Sequence, residues 1–372
     1  MKICILGTAY PYRGGLAAFN ERLAHQFQTE GHEVWLETFT LQYPNFLFPG
    51  KTQFSESPAP SDLAIQRSVN SVNPFNWIAV GRKIRDMRPD LLVLGFWIPF
   101  MAPCMGTIAR IVRGNGHTKV SAILHIVVPH EPRIGDEALV SYLIKSIDGC
   151  VVMSKSVEAD VLRFESDKSV GVSPHPLYDH FGTKMTRDEA LAKLSLDPSF
   201  RYLLFFGLIR DYKGLDLLLK AFADERIDKK RFRLLIAGEY YGGGEKYETL
   251  AKELGVYDSV DWHTRYIADE DVRDYFSAAD LVVQPYKTAT QSGVTQIAYH
   301  FEKPMLVTNV GGLSEIVPHG KVGYVAEADP NSIADALADF CANTPDFSQG
   351  ILDEKRKYAW ENMTKSVISV VM

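Results

Sequence analysis

The stretch LVVQPYKTATQSGVTQIAYHFEKPMLVTNVGG, residues 281–312, decides the fold of this chain. It opens with an apolar run that ends at Pro285 and closes with a second apolar run, residues 304–310, which predicts two short buried strands. Small and polar residues between them lead into helix-compatible sequence, so we expect a helix to begin near Ser292. Strands that alternate with helices in this way are typical of a parallel α/β sheet.

The start of this predicted helix is a candidate anion site. Ser292 and Gly293 would present free backbone N–H groups there, and the helix dipole favours an anionic group such as a diphosphate. Gly311 and Gly312 follow the second strand, and glycine lets the backbone approach a ligand without a side chain in the way. This part of the sequence therefore predicts half of a nucleotide pocket.

The composition is that of a globular protein with room for two domains. The chain has 372 residues, 46% of them apolar and 23% charged, and its net charge of -6 disfavours nucleic acid as a partner. No apolar run has the length of a membrane span, and Met1 leads directly into a predicted strand rather than a signal peptide, so we expect a cytoplasmic protein. The four cysteines show no paired spacing, which predicts reduced, structural thiols.

The first half of the chain predicts a parallel α/β domain with its own phosphate-approach loop. Residues 2–8 form an apolar run typical of a buried strand, residues 10–15 (YPYRGG) form a loop, and residues 16–29 have helical spacing. Gly14 and Gly15 would bring this loop close to an anion, although paired glycines mark ordinary turns at least as often.

A histidine follows another predicted strand of this first half. The apolar run of residues 120–131 carries His125 and His130 toward its C-terminal end, and ligands of open parallel sheets bind beyond that end. His125 therefore either faces a cleft or is a core histidine whose ring bonds to a backbone carbonyl. His130 and Glu131 are the alternative polar pair, and no second cluster accompanies these residues to suggest a metal site.

The second half contains the most specific pattern after residues 281–312. Residues 201–223 (RYLLFFGLIRDYKGLDLLLKAFA) predict a strand, a glycine turn with basic residues and an amphipathic helix. Residues 232–255 predict a strand that ends near Gly238, a glycine-rich loop and a helix, and residues 260–277 add a short strand, a loop and a helix. This alternation indicates a second parallel α/β domain.

Over nearly its full length the chain resembles retaining, nucleotide-sugar-dependent glycosyltransferases of the GT-B fold, in the group called glycosyltransferase family 4 or glycosyl transferases group 1. In that family the turn after the first strand of the second half reads Gly-Arg-x-x-x-x-Lys-Gly. Gly207, Lys213 and Gly214 match this pattern. Leu208 holds the arginine position, and Arg210 lies two residues later. The resemblance implies an α/β fold of two doubly wound, Rossmann-like parallel-sheet domains that face a cleft.

The resemblance also implies roles for individual residues. Lys213 and Arg210 would bracket the donor diphosphate and stabilise the charge that builds on it as it leaves. His125 would lie close to the transferred sugar, and Tyr266 and Ile267 would frame the nucleobase. Glycines that would approach the donor are Gly14, Gly15, Gly207, Gly238 and Gly293.

One part of the family's pattern is missing. The family's pair of glutamates falls at Ala289 and Ile297, and neither position holds a carboxylate. We interpret the chain as a divergent branch in which hydroxyl and amide side chains contact the donor sugar and the ribose. These side chains are Thr288, Thr290, Gln291, Ser292 and Gln296.

The function implied by the resemblance is transfer of a sugar from a UDP- or GDP-sugar to a saccharide or lipid-linked saccharide acceptor, with retention of configuration, in surface polysaccharide synthesis. This reaction type needs no metal and no cofactor besides the donor substrate. The missing glutamates favour an alternative, a catalytically degenerate protein that acts as a binding or partner subunit. A nucleotide-sugar epimerase of the same fold is a further alternative.

The predicted domains are residues 1–180 on the acceptor side and residues 181–355, which bind the nucleotide sugar. Residues 356–372 form a predicted helix that packs back on the first domain. The long, Pro- and Ser-rich stretch of residues 41–77 is a candidate mobile lid over the acceptor.

Basic and aromatic residues on the acceptor side allow two interpretations. Arginine and lysine side chains cluster on one predicted helix, and aromatic side chains follow at a strand end. They suit peripheral docking on the inner face of the cell membrane, and they equally suit core packing beside a solvated helix face. The residues are Arg82, Lys83, Arg85, Arg88, Trp97, Phe100 and Met101.

Overall fold

The chain divides into two compact units, each with its own parallel sheet. The computed structural model describes residues 1–43, 53–55, 58–127, 133, 135–289 and 292–372. The first unit consists of Met1–His175 and Ala359–Met372, and the second of Pro176–Tyr358.

Within the described residues, the first unit is built on a seven-stranded parallel sheet. Its strands are β1 (Lys2–Leu6), β2 (Glu33–Leu41), β3 (Ala64–Asn70), β4 (Leu91–Phe96), β5 (Lys119–Leu124), β6 (Gly149–Val152) and β7 (Ser169–Val172). They lie in the order β3-β2-β1-β4-β5-β6-β7, so the direction of winding reverses between β1 and β4. Ligands of doubly wound sheets bind at such a switch point, beyond the carboxyl ends of the strands.

β1 shows why this sheet needs a continuous apolar run. Ile3 and Ile5 pack into the core on one face of the sheet, whereas Cys4 and Leu6 pack into the core on the other. All four residues are fully buried, because helices cover both faces of a doubly wound sheet. The helices that connect these strands are α1 (Gly15–Thr29), α2 (Pro74–Met87), α3 (Ala102–Arg113), α4 (Asp136–Ile144) and α5 (Lys155–Phe164).

The second unit repeats this architecture with six described strands, all parallel. They are β8 (Arg201–Phe206), β9 (Phe232–Ala237), β10 (Val260–His263), β11 (Leu281–Gln284), β12 (Met305–Thr308) and β13 (Gly323–Ala326). The order is β10-β9-β8-β11-β12-β13, which puts the switch point between β8 and β11. Its helices are α6 (Arg187–Leu194), α7 (Leu215–Phe222), α8 (Glu245–Glu253), α9 (Asp269–Ala278), α10 (Gly293–His300), α11 (Leu313–Ile316), α12 (Pro330–Asn343) and α13 (Ser348–Lys355).

The last helix of the chain, α14 (Trp360–Ser369), packs within the first unit. Met363 and Val367 are fully buried in the same core as Ile3 and Ile5. A side chain on Gly149 of β6 would collide with the carbonyl of Val370, so glycine at that position lets the helix end approach the sheet closely.

The prediction of one long loop over residues 41–77 is wrong in part. β3 and the first turn of α2 lie within this stretch. β3 is an edge strand whose sequence, AIQRSVN, has few apolar residues because much of it is exposed, and so it lacks the signal of a buried strand. Residues 44–52 and 56–57 lie outside the described residues, and the acceptor lid stays a prediction.

Three of the predicted basic and aromatic residues have contacts within the first unit. Lys83 forms a 2.7 Å salt bridge with Glu37, a carboxylate that is fully buried in β2. Met101 is fully buried in the core, and the Trp97 indole N–H donates to the Tyr43 hydroxyl. These three side chains are therefore held by contacts within the first unit. The contacts were not predicted, because sequence spacing alone does not show which side of a helix or strand end meets the sheet.

Among the described helices, none is both long enough and apolar enough to cross a membrane. All four cysteines are free and buried, which agrees with the reduced, structural thiols expected from their spacing.

Candidate functional site

The loop after β8 lies at the switch point of the second sheet, which is between β8 and β11. The chain leaves β8 at Gly207, makes a short helical turn, Asp211–Lys213, and enters α7 after Gly214. Gly207 and Gly214 have φ values of 98° and 70°, a region that favours glycine. A side chain on Gly214 would collide with the carbonyl of Pro285, which directly follows β11, so glycine lets the two loops meet.

Lys213 is buried in this turn, and its charge has no counter-ion among the described residues. Its Nζ lies 2.8 Å from the position where a side chain on Gly207 would begin and 5.6 Å from the ring centre of Tyr286. Only 9% of the residue is exposed, and within the described part of the chain no carboxylate forms a salt bridge with it. Burial, and then the nearby Arg210, lower the pKa of Lys213 to about 8, because the ammonium loses hydration and lies near a second positive charge.

Arg210 supplies a second cation to the same loop. Its guanidinium carbon lies 4.1 Å from the ring centre of Tyr241, and its Nε is buried with no hydrogen-bond partner among the described residues. Because Arg210 lowers the pKa of Lys213, the two positive charges are close enough to repel each other. An anion near both side chains would relieve this repulsion.

The N-terminus of α10 lies beside the same loop. Ser292 caps this helix, and its hydroxyl accepts the N–H of Val294 at 3.2 Å, which confirms the predicted helix start. The Tyr286 hydroxyl lies 3.3 Å from Ser292 Oγ, and Val294 Cγ2 lies 3.9 Å from the Cβ position of Gly207. The helix therefore adds the partial positive charge of its N-terminus to the surroundings of Lys213.

Tyr286 joins these parts and is a site residue that the sequence analysis missed. Its ring lies near Lys213 Nζ and its hydroxyl near Ser292 Oγ. Burial raises the pKa of this hydroxyl to about 12, so Tyr286 is neutral at physiological pH. The available signal in the sequence is a tyrosine directly after Pro285, at the carboxyl end of a strand beside the switch point.

Two buried glutamines lie on the elements that flank this site. Gln296 in α10 is 3% exposed, and its Oε1 has no hydrogen-bond partner among the described residues. Gln284 in β11 is 1% exposed, and neither atom of its amide has one. Ile297, at one of the two family glutamate positions, is buried and apolar. The Gln296 side chain can therefore still accept a hydrogen bond, whereas the apolar side chain of the neighbouring Ile297 cannot.

Other predicted donor residues lie in different parts of the second unit. Gly238 has a φ of 142°, and a side chain there would collide with the carbonyl of Gly207, so this glycine packs two loops together. Tyr266 and Ile267 follow β10, which β9 separates from β8. Tyr266 is 67% exposed and Ile267 is buried. Their contact with a nucleobase stays a prediction.

In the first unit, the predicted residues follow β1 and β5. Gly14 has a φ of 104° and precedes α1, and both Gly14 and Gly15 have open space where a side chain would begin. The backbone N–H of His125 donates to the Phe96 carbonyl at 2.9 Å. Its ring packs edge-on against Phe19, with 5.0 Å between the ring centres.

One ring nitrogen of His125 is buried and unpaired in the part of the chain that the structure describes. Its Nε2 is buried with no hydrogen-bond partner among the described residues. Burial, with a contribution from His175, lowers the pKa of His125 to about 3, so the ring is neutral at physiological pH. Its contact with a sugar stays a prediction. The predicted residues His130, Glu131, Thr290 and Gln291 lie outside the described residues.

A cavity of ≈ 560 Å³ beside α8 does not suit an anion. Four carboxylates and one lysine, Lys246, line it, so its lining has a net negative charge that would repel a phosphate. Across the described ranges, no group of three His, Cys, Asp or Glu side chains is arranged to hold a metal ion. The four carboxylates are those of Asp211, Asp216, Glu245 and Glu253.

The second unit matches a known family. Residues 200–343 match the family described as glycosyl transferases group 1, and this segment contains the Lys213 loop and α10. A D-inositol 3-phosphate glycosyltransferase of Streptomyces scabiei is 30% identical over 216 residues, which cover 55% of this chain and 48% of that relative. The chain therefore spans about half the length of this curated relative.

Two further similarities extend over the whole chain. An uncharacterized glycosyltransferase of Methanocaldococcus jannaschii is 23% identical over 409 aligned residues, which cover 100% of this chain and 97% of that relative. The structure of Anabaena HepE in complex with UDP has a TM-score of 0.68 at 14% identity, and the alignment covers 99% of each chain. Solved glycosyltransferase structures share this fold. The two Rossmann-like units thus have the fold of GT-B glycosyltransferases, and the similarity to glycosyl transferases group 1 lies in residues 200–343.

Proposed function

We propose that this protein is a glycosyltransferase that binds a nucleoside-diphosphate sugar through its second unit. The observation that carries the proposal is Lys213, a buried cation with no counter-ion among the described residues, next to Arg210 and the N-terminus of α10. A diphosphate supplies the negative charge that this position lacks. The family match over residues 200–343 and the UDP complex of similar fold support the proposal.

In the proposed mechanism the diphosphate is the leaving group. As the bond between the anomeric carbon and the phosphate oxygen breaks, negative charge builds on the diphosphate. Lys213 and Arg210 stabilise that charge more than they stabilise the intact donor, which lowers the barrier. The acceptor hydroxyl attacks on the face from which the diphosphate departs and gives its proton to a leaving-group oxygen. Configuration is then retained without a protein nucleophile or a metal.

The proposed donors are UDP- and GDP-sugars, and the proposed acceptor is a saccharide or lipid-linked saccharide of a surface polysaccharide. A measurement of sugar transfer tests this proposal. Wild-type protein is incubated with each donor and a panel of saccharide acceptors, and release of the nucleoside diphosphate is followed. Lys213→Met should lower turnover by about 10²–10³-fold, while Lys220→Met, which changes an exposed lysine of α7, should leave it unchanged.

The same measurement separates the alternatives. Donor binding without any turnover would support a degenerate partner subunit, which the absence of carboxylates at Ala289 and Ile297 favours. Conversion of the donor into a different nucleotide sugar, with no acceptor present, would indicate an epimerase. Transfer that persists in Lys213→Met at the wild-type rate would contradict the proposed site.

We also propose that α2 contacts an anionic membrane surface. Phe75 is 84% exposed and Ile78 is 36% exposed, and Arg82 is exposed as well. Because these residues are three and four positions apart, they lie on one face of the helix. An exposed face with apolar and basic side chains suits the interface of an anionic bilayer.

Vesicle binding tests this contact. The double variant Phe75→Ser with Arg82→Glu should bind vesicles of phosphatidylglycerol and phosphatidylcholine more weakly than wild type, and Lys220→Glu in the second unit should bind them as wild type does. Equal binding by the wild type and the double variant would exclude α2 as the contact.

A further inference from the structure

The loops after β8 and β9 are joined by backbone hydrogen bonds. The N–H of Ile209 donates to the Glu239 carbonyl at 2.8 Å, and the N–H of Tyr241 donates to the Ile209 carbonyl at 3.0 Å. Ile209 and Tyr240 form an isolated parallel bridge. These contacts extend the pairing of the two strands beyond their ends, and they place Arg210 and Tyr241 side by side on neighbouring loops.

The base of the second loop is held by packing. The rings of Tyr240 and Tyr247 are stacked, with 6.2 Å between centres and an interplanar angle of 7°. A side chain on Gly244 would collide with the ring of Tyr240, so glycine at this position lets the loop close over that ring. Tyr241 is therefore presented from a loop that is fixed on both sides.

Tyr241 is exposed and yet has a specific contact. It is 68% exposed, so it contributes little to the core. Its ring lies 4.1 Å from the guanidinium carbon of Arg210, the distance of a cation–π contact. A planar guanidinium that rests on a ring keeps the N–H groups on its edge free for bidentate hydrogen bonds to a phosphate.

Arg210 does not occupy the position that the arginine has in the resembling family. In the resembling family the arginine stands at the position of Leu208, which is 43% exposed here and cannot pair with a phosphate. Arg210 reaches the site from two residues farther along the loop, and next to Lys213 its charge is repelled. A contact with the Tyr241 ring would reduce the number of conformations open to the long Arg210 side chain.

We propose that Tyr241 is a positioning residue that holds the Arg210 guanidinium for the diphosphate of the donor. This inference rests on the proposed function, and it assigns to the pair of Tyr241 and Arg210 the part that a single arginine has in the resembling family. Tyr241 does not contact the reacting atoms; it acts through Arg210.

A double-mutant cycle of binding constants tests the inference. The dissociation constant of UDP or GDP, whichever the wild type binds, is measured by calorimetry for wild type, Tyr241→Leu, Arg210→Ala and the double variant. Tyr241→Leu should weaken binding by about twofold to fivefold, the range of a cation–π contact at an exposed site. In the Arg210→Ala background the same change should have no further effect. Tyr241→Phe, which keeps the ring, should bind as wild type does.

The outcomes separate this inference from the function on which it rests. If UDP or GDP binds to wild type and is lost in Lys213→Met, but binds equally to Tyr241→Leu, the role of Tyr241 is refuted and the proposed function stands. If Tyr241→Leu weakens nucleotide binding by the same factor in the wild type and in the Arg210→Ala background, the role of Tyr241 is also refuted. If the wild type binds neither nucleotide, the proposed function falls and the inference falls with it.

Discussion

Two buried lysines of the second unit, Lys213 and Lys303, have similarly lowered pKa values but different hydrogen-bond partners. Burial lowers the pKa of each to about 8. Lys303 Nζ donates to the carbonyls of Ser277 and Ala279, at 3.0 and 2.9 Å. For Lys213 Nζ, the described residues provide the face of the Tyr286 ring and no hydrogen-bond acceptor. Lys303 is therefore hydrogen-bonded by the protein, whereas Lys213 has no such partner in the described ranges and could receive one from a ligand.

The two lysines also lie at opposite ends of the strands. Lys303 precedes β12, whereas Lys213 follows β8, and ligands of doubly wound sheets bind beyond the carboxyl ends. A buried charge without a partner reduces stability, and a protein retains it where binding compensates for the loss. The comparison therefore predicts that Lys303 serves stability and Lys213 serves binding.

The largest expected effect comes from removing the Lys213 charge. Lys213→Met should weaken binding of UDP or GDP by about 100-fold, the scale of a charge-assisted contact that is lost in a buried site. Its free energy of unfolding should stay equal to that of wild type or rise, because an uncompensated charge is replaced by an apolar side chain. Calorimetry measures the affinity and urea unfolding measures the stability. A large loss of stability in Lys213→Met would contradict the assignment of Lys213 to binding and Lys303 to stability.

The same substitution at Lys303 should lower stability and leave nucleotide affinity unchanged. Lys303→Met leaves the carbonyls of Ser277 and Ala279 without their donor, which should lower the free energy of unfolding by about 2–4 kcal/mol. Nucleotide affinity of the folded protein should not change. If Lys303→Met loses affinity while its urea midpoint stays that of wild type, the assignment of the two lysines is reversed.

The affinity for the nucleoside diphosphate should depend on pH. With a pKa of about 8 in the free protein, Lys213 is protonated below pH 8 and binds the anion fully there. A bound diphosphate raises this pKa, so above pH 8 binding requires uptake of a proton, and affinity should fall about tenfold between pH 7 and pH 9. Lys213→Arg, whose charge does not titrate, should remove this slope; an unchanged slope would assign it to another group.

The smallest effect is expected at Tyr286. Tyr286→Phe keeps the ring beside Lys213 and removes the hydroxyl that lies 3.3 Å from Ser292 Oγ. Nucleotide affinity should fall by about twofold to fivefold, as expected for one neutral hydrogen bond. A loss as large as that of Lys213→Met would mean that the hydroxyl itself contacts the ligand.

The parts of the site that follow local patterns were predicted from sequence. The apolar run of β11, the start of α10 at Ser292 and the turn that contains Lys213 each have a signal within a few residues. Lys213 was distinguished because Gly207, Lys213 and Gly214 match the turn of the resembling family, and both glycines have positive φ values in the structure.

Side-chain partners that are distant in sequence were not predicted. Tyr241 meets Arg210 because two neighbouring strands place their loops together, and Lys83 meets Glu37 because α2 packs on the sheet. Neither contact has a period or motif that one sequence displays. The edge strand β3 was missed for a related reason, since its exposed residues hide the strand pattern.

The most direct test of the account is a crystal structure of the protein with UDP or GDP bound. We expect a diphosphate oxygen within about 4 Å of Lys213 Nζ, the distance of a salt bridge, with the guanidinium of Arg210 hydrogen-bonded to the same diphosphate. A nucleotide bound in the second unit with its diphosphate away from Lys213, and with Lys213 still unpaired, would contradict the central claim.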